Sequence, residues 1–193
     1  MPPVSHNSLI IITGAAGLVG QNLLLLLRER GYNNLLAIDV HANNLSIAAK
    51  LNPGIKTLCT DLSVAGDWQQ TFSGASAVIQ LHAQITSLHE ADFVRNNIEA
   101  TRHVLAACQQ YNIPYLIHIS SSVLHSVVDD AYTRTKRIQE ELVQSSGIKN
   151  CILRPTLMFG WFDPKHFGWL SRFMARTPVF PIPGDGKFLR QPL

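Results

Sequence analysis

The run Thr13-Gly14-Ala15-Ala16-Gly17-Leu18-Val19-Gly20 constrains this chain more than any other segment. It joins a short apolar, β-branched stretch, Leu9 to Thr13, to a long leucine-rich stretch, Leu18 to Arg30, that Gly31 closes. A strand, a glycine turn and a helix in that order place free backbone N–H groups and the positive end of the helix dipole at the turn. The glycines let the turn tighten and let a phosphate approach the backbone closely. The spacing is G-x-x-G-x-x-G rather than G-x-G-x-x-G, and a simple glycine-rich tight turn is the competing explanation of this segment alone.

The same β-α rhythm continues. Strands are expected at Leu35 to Val40, Ile55 to Cys59, Ala77 to Leu81, Tyr115 to Ser120 and Cys151 to Leu153. Helices are expected at Asn44 to Leu51, Val64 to Phe72 with Ser63 as cap, Asp92 to Tyr111, and Asp130 to Ser146. Six strands alternating with helices make an α/β fold, a doubly wound parallel sheet with helices on both faces. Strands such as IIIT and YLIHI read as apolar throughout, as doubly covered strands should. Residues 1–160 form one unit. From Trp161 to Leu193 the chain turns rich in Pro, Phe and Gly, with one helix expected near Phe167 to Arg176, and reads as the start of a substrate-binding region.

Composition excludes several classes. With 46% hydrophobic and 15% charged residues, the 193-residue chain is not intrinsically disordered and has enough apolar mass for one core. A net charge of +3 is too small to argue for nucleic acid. Cys59, Cys108 and Cys151 are widely spaced with no Cys-x-x-Cys, which argues against a disulfide framework or a zinc site and fits a reducing cytoplasm. The N-terminal residues do not resemble a signal peptide, and the longest apolar run is far short of a bilayer span, so a cytoplasmic protein without a membrane partner is expected.

Two further features carry chemistry. Asp39 ends the second expected strand, nineteen residues after Gly20. A carboxylate there accepts hydrogen bonds from ribose hydroxyls and repels a 2′-phosphate. No Arg or Lys lies between Val40 and Leu45, so NAD is expected rather than NADP. Tyr132 and Lys136 stand four apart at the start of a helix and share a face. An ammonium beside the phenol is expected to lower its pKa and ready it for proton transfer.

Together these segments resemble the extended short-chain dehydrogenase/reductase family, in its NAD-dependent epimerase/dehydratase branch, over nearly the whole chain. The resemblance implies a Rossmann-type sheet. Gly14, Ala16, Gly17, Leu18, Val19 and Gly20 match the phosphate loop, and Asp61-Leu62 the pair that contacts adenine. Leu81-His82-Ala83 matches the segment beside the cofactor. Asn97 with Ala100-Thr101 resembles the family's Asn-x-x-Gly-Thr, and Leu153-Arg154-Pro155-Thr156 with Phe159-Gly160 its Arg-Pro and Tyr-Gly segment. By that resemblance Tyr132 is the general acid/base, Lys136 holds the nicotinamide ribose, and Ser121 hydrogen-bonds the reacting oxygen, with Ser120 and Ser122 as alternatives. Pro155 positions the nicotinamide, Ser121 and Ser122 border the substrate, and Arg190 holds a nucleotide-sugar diphosphate. The family's two long helices form a homodimer face.

The departures narrow the reaction. Ser121 and Tyr132 are only eleven residues apart, shorter than in sugar-modifying relatives. His82 stands where the family has a small residue, and a hydrogen-bonded structural role is favoured for it over a catalytic one. Ser122-Val123 occupies the positions where dehydratases carry an acidic pair and decarboxylases a glutamate. Epimerisation of a nucleotide sugar is placed first, redox of a non-nucleotide ketone or alcohol second, and a non-catalytic dinucleotide-binding scaffold third.

Overall fold

The computed structural model describes residues 4–127, 129–160, 162–163, 166–177 and 179. Its elements are β1 (Ile10–Thr13), α1 (Leu18–Glu29), β2 (Leu35–Asp39), α2 (Ala42–Leu51), β3 (Lys56–Cys59), β4 (Ala77–Gln80), α3 (Glu90–Phe93), α4 (Ala100–Gln110), β5 (Leu116–Ile119), α5 (Ala131–Ser145), β6 (Asn150–Leu153) and α6 (His166–Met174). All six strands are parallel, in the order β3-β2-β1-β4-β5-β6. The sheet therefore winds outward in both directions from between β1 and β4, and ligands of such sheets sit at the carboxyl ends around that switch point.

Side-chain alternation along the strands splits the core into two layers. Ile10, Ile12, Leu35, Ala37 and Ile79 pack with Leu24 of α1 and with Leu45 and Ala48 of α2. Ile11, Leu36, Ile38, Val78 and Leu116 pack on the other face with Val104, Leu105 and Cys108 of α4 and Val143 of α5. The strands are not apolar throughout. Edge strand β3 is largely exposed, and Gln80 of β4 and His118 of β5 are fully buried polar residues.

Two expected helices differ. A 3₁₀ turn at Asp67–Phe72 replaces the helix over residues 64–72, and Gly66 rather than Ser63 precedes it. The Ser63 hydroxyl instead donates to Asp61 Oδ1 at 2.6 Å, and the Trp68 indole donates to the Val64 carbonyl at 2.8 Å. The long helix over residues 92–111 is broken by a π-helical stretch, Val94–Glu99, between α3 and α4. A further 3₁₀ turn, Ser122–His125, begins the connection from Ser121 toward α5. Helix α5 starts where expected because the Asp130 carboxylate accepts from the Thr133 amide at 2.7 Å.

Among the described residues no helix is long and apolar enough to cross a membrane, and no cluster of His, Cys, Asp and Glu is arranged to hold a metal. Within α6 the Trp169 and Phe173 rings stack at 5.3 Å, with Trp169 more than half exposed.

Candidate active site

The glycine loop is built by two glycines that the protein itself requires and one that it does not. Gly14 has φ +70°, and a Cβ there would lie 2.5 Å from the His82 backbone nitrogen. Gly20 lies in α1, where a Cβ would come within 2.5 Å of the Ala15 backbone. Gly17 has ordinary backbone angles and is exposed, and a Cβ there would meet only the Gly14 carbonyl at 3.4 Å. Among the described residues no side chain caps α1, and its first turn holds no acidic residue. An uncapped helix N-terminus with a glycine that packing does not demand fits a pyrophosphate against the backbone. Leu18 and Val19 are half-buried in the first turn.

Asp39 closes this loop from β2. Its Oδ2 accepts from the Ala16 amide at 2.9 Å and its Oδ1 from the His41 amide at 3.0 Å. Beyond β3, Asp61 accepts from the Ser63 amide and hydroxyl and from Arg95. Burial acts to raise the Asp61 pKa, but these donors outweigh it and hold the carboxyl below the usual range. Leu62 beside it is buried.

Leu81, His82 and Ala83 run from the end of β4, and the Leu81 amide donates to the Thr13 carbonyl. The His82 ring bridges Thr13 Oγ1 at 2.8 Å and Thr101 Oγ1 at 3.3 Å. Asn97, fully buried in the π-helical stretch, accepts from the Gln84 amide at 2.6 Å and donates to Thr135 Oγ1 at 3.0 Å. It fixes the segment after β4 to α5. The π-turn directs Asn97 inward, a common use of this irregularity at functional sites.

Ser121 and Tyr132 meet at the carboxyl edge of the sheet. Burial raises the Tyr132 phenol pKa, and a hydrogen bond with the Ser121 side chain acts in the opposite direction. The expected lowering of the phenol by Lys136 is not what the structure has. The Lys136 side chain is 1% exposed and turns inward, where Nζ donates to the Ile119 carbonyl at 2.8 Å and to Gln139 Oε1 at 2.6 Å. Burial pushes the ammonium itself down to about 7, while Glu140 nearby acts to raise it. Ser120 is buried and Ser121 and Ser122 are both half-buried; of the three, Ser121 is the one whose side chain acts on the phenol.

Pro155 follows β6, and its carbonyl accepts from the Ser122 amide at 2.9 Å, tying this segment to the serines. Arg154 pairs with Glu140 of α5. Farther along the chain, Phe159, Phe162, Phe167, Leu170 and Met174 with Asp163 and Arg172 line a cavity of about 920 Å³. Arg190 lies outside the described residues, as does most of the 161–193 region.

The profile of the NAD dependent epimerase/dehydratase family matches residues 10–191. The chain belongs to that family. Among relatives, short-chain dehydrogenase/reductase family 42E member 1 of Macaca fascicularis is 24% identical over 97% of this chain and 55% of its own length. The decarboxylating sterol-4-alpha-carboxylate 3-dehydrogenase of Schizosaccharomyces pombe is 24% identical over 80% of this chain and 51% of its own length. The chain thus spans about half the length of the curated relatives it matches. The crystal structure of the Thermotoga maritima UDP-glucose 4-epimerase with UDP-glucose superposes with a TM-score of 0.81 at 20% identity, over 96% of this chain and 69% of that one. The fold is therefore that of the epimerase/dehydratase family, a Rossmann-type sheet.

Within this family member the structure brings Gly14, Ala16, Gly17, Gly20, Asp39, His82, Asn97, Ser121, Tyr132, Lys136 and Pro155 to the carboxyl edge of one sheet. Sequence reading missed Gln139, Gln80 and His118. The signals were available: Gln139 follows Lys136 by one helical turn, and Gln80 and His118 interrupt otherwise apolar strands.

Proposed function

We propose that the chain binds NAD and exchanges a hydride at a secondary alcohol carbon, with Tyr132 carrying the hydroxyl proton. The observation that carries this reading is the uncapped Gly14–Gly20 loop, held by the Asp39 carboxylate at the same sheet edge from which Ser121 acts on the Tyr132 phenol. Gly14, Ala16, Gly17, Leu18, Val19 and Gly20 would hold the pyrophosphate and Asp39 the adenosine ribose. Asp61 and Leu62 would hold the adenine, and Leu81, His82, Ala83, Asn97, Lys136 and Pro155 the nicotinamide end. When bound, NAD supplies the hydride acceptor and donor. The protein's part is positioning and the proton. A phenol raised by burial keeps its proton at neutral pH in the free chain, and the Ser121 hydrogen bond draws it toward ionisation.

For the substrate we place redox of an apolar alcohol or ketone first. The sterol dehydrogenase of S. pombe aligns with 80% of this chain, the cavity formed by the 159–174 segment is lined mostly by apolar side chains, and Ser121 and Tyr132 are only eleven residues apart. Epimerisation of a nucleotide sugar is the second reading, favoured by the family's name and by Arg190. Homodimer assembly through the α4 and α5 faces and a cytoplasmic location go with both.

The experiment is NADH titration by fluorescence, followed by incubation with NAD and either a sterol alcohol or UDP-glucose. Absorbance at the nicotinamide band reports redox, and proton NMR of the sugar reports epimerisation. Binding with neither turnover leaves the scaffold reading, and absence of NADH binding overturns the proposal.

A further inference from the structure

The polar residues that interrupt the strands are in register. Thr13 pairs with Gln80, and Gln80 with His118, so the three form a row across β1, β4 and β5. Alternation puts this row on the face that α4 and α5 cover, where Thr101, Gln139 and Lys136 are buried. Gln139 is fully buried and donates through Nε2 to Thr101 Oγ1 at 2.8 Å, and Gln80 Nε2 donates to the same oxygen at 2.7 Å. With two N–H groups on its oxygen, the Thr101 hydroxyl has its own proton to give to His82 Nε2. His82 Nδ1 then carries the ring proton and donates to Thr13 Oγ1.

Every donor in this chain of bonds points the same way, from the Lys136 ammonium through Gln139, Thr101 and His82 to Thr13, the residue before the phosphate loop. We propose that Gln139 is a positioning residue for Lys136: its amide oxygen holds the ammonium, and the Thr101–His82–Thr13 relay holds the amide. An ammonium has three N–H donors. Two are committed to Ile119 and Gln139, which fixes the direction of the third toward any ligand. Ile119 offers a backbone carbonyl that no substitution removes, so Gln139 is the side chain on which the position of Lys136 depends. The role of Lys136 toward the nicotinamide ribose rests on the function proposed above.

The groups facing Lys136 are His118 from β5, His82 from the segment after β4, Glu140 from α5, and Arg154 through its pairing with Glu140. Burial pushes His82 down to about 3 and His118 to about 2, so both are neutral where Lys136 titrates. Among the described residues, Gln139 is the one side chain that accepts a hydrogen bond from the ammonium.

The test compares the parent chain with Gln139→Leu and Gln139→Glu. The first removes the acceptor; the second replaces it with a charged one. Two readouts are followed: the Lys136 Cε resonance across pH in lysine-labelled protein without ligand, and NADH affinity across the same range. The Lys136 titration is expected to move down by about one pH unit in Gln139→Leu and up by about one unit in Gln139→Glu. NADH affinity at pH 7 should fall about tenfold in Gln139→Leu and be largely kept in Gln139→Glu. A Lys136 titration that stays at the parent position in both variants overturns the proposal. If Gln139→Leu loses its folded amide spectrum, an unmoved titration in Gln139→Glu is sufficient to overturn it. If the parent binds no NADH, the functional reading falls, and the ligand-free titration still decides the role of Gln139.

Discussion

The Asp39 carboxylate grips the glycine loop directly: its Oδ2 accepts from the Ala16 amide at 2.9 Å, across the gap between β2 and the β1–α1 turn. Its other oxygen accepts from His41, so one buried side chain satisfies two backbone donors. Asp39→Ala leaves both donors without a partner, and unfolding in urea should show a loss of about 1–3 kcal/mol. The same change removes the charge that disfavours a 2′-phosphate. Calorimetry should show weaker NAD binding and a narrowed preference for NAD over NADP. An unchanged NAD/NADP ratio would remove Asp39 from cofactor selection.

The three loop glycines should separate into two classes. Ala at position 14 must adopt φ +70° and strike the His82 backbone, and Ala at position 20 must strike Ala15. Each should lower stability by about 1–3 kcal/mol or prevent folding. Ala at position 17 meets only one carbonyl at contact distance and should leave the melting temperature nearly unchanged. It would still occupy the space a pyrophosphate needs, so its NADH affinity should fall about tenfold or more. If Gly17→Ala binds NADH like the parent, the loop does not serve as a phosphate cradle.

Tyr132 gives a test of the chemistry separate from binding. Tyr132→Phe keeps the ring and loses the proton, so turnover should drop by about 10²–10⁴-fold while NADH affinity changes little. Ser121→Ala removes the hydrogen bond that works against burial. The phenol should then titrate at higher pH than in the parent, seen as a later rise of tyrosinate absorbance. An earlier rise would mean that Ser121 favours the neutral phenol.

Much of this arrangement was legible in the residues. The order of strands and helices, the glycine loop, Asp39 and the Ser121–Tyr132–Lys136 set all depend on local spacing, which sequence displays. What was not legible depends on contacts across the sheet. Periodicity could not show that Thr13, Gln80 and His118 would fall in one row, because register is set by strand pairing rather than by any one strand. The direction of Lys136 was hidden for the same reason. Helical spacing puts Tyr132 and Lys136 on one face, but the acceptors that turn the ammonium inward come from β5 and from Gln139. The 3₁₀ turn at Asp67–Phe72 was missed because the Ser63 side chain, a plausible cap, is taken by Asp61.

His118 offers a prediction about acid stability. It is fully buried in β5, and neither ring nitrogen has a hydrogen-bond partner among the described residues. Burial, followed by the Lys136 charge, pushes its pKa down to about 2, and His82 is held at about 3. Both rings are therefore neutral in the folded chain and take up protons near pH 6.5 only when unfolded. The unfolded state binds more protons below that value, so stability must fall as pH drops from about 6.5 toward 3. His118→Leu removes one of the two sources. At pH 7 it should be neutral or stabilising, because an unpartnered buried ring gives way to an apolar side chain. Between pH 7 and pH 4.5 it should lose about 2 kcal/mol less than the parent does in urea unfolding. Parallel acid limbs for the two proteins would show that the ring is protonated or solvated in the folded chain, and would place the source of acid sensitivity at His82 or elsewhere.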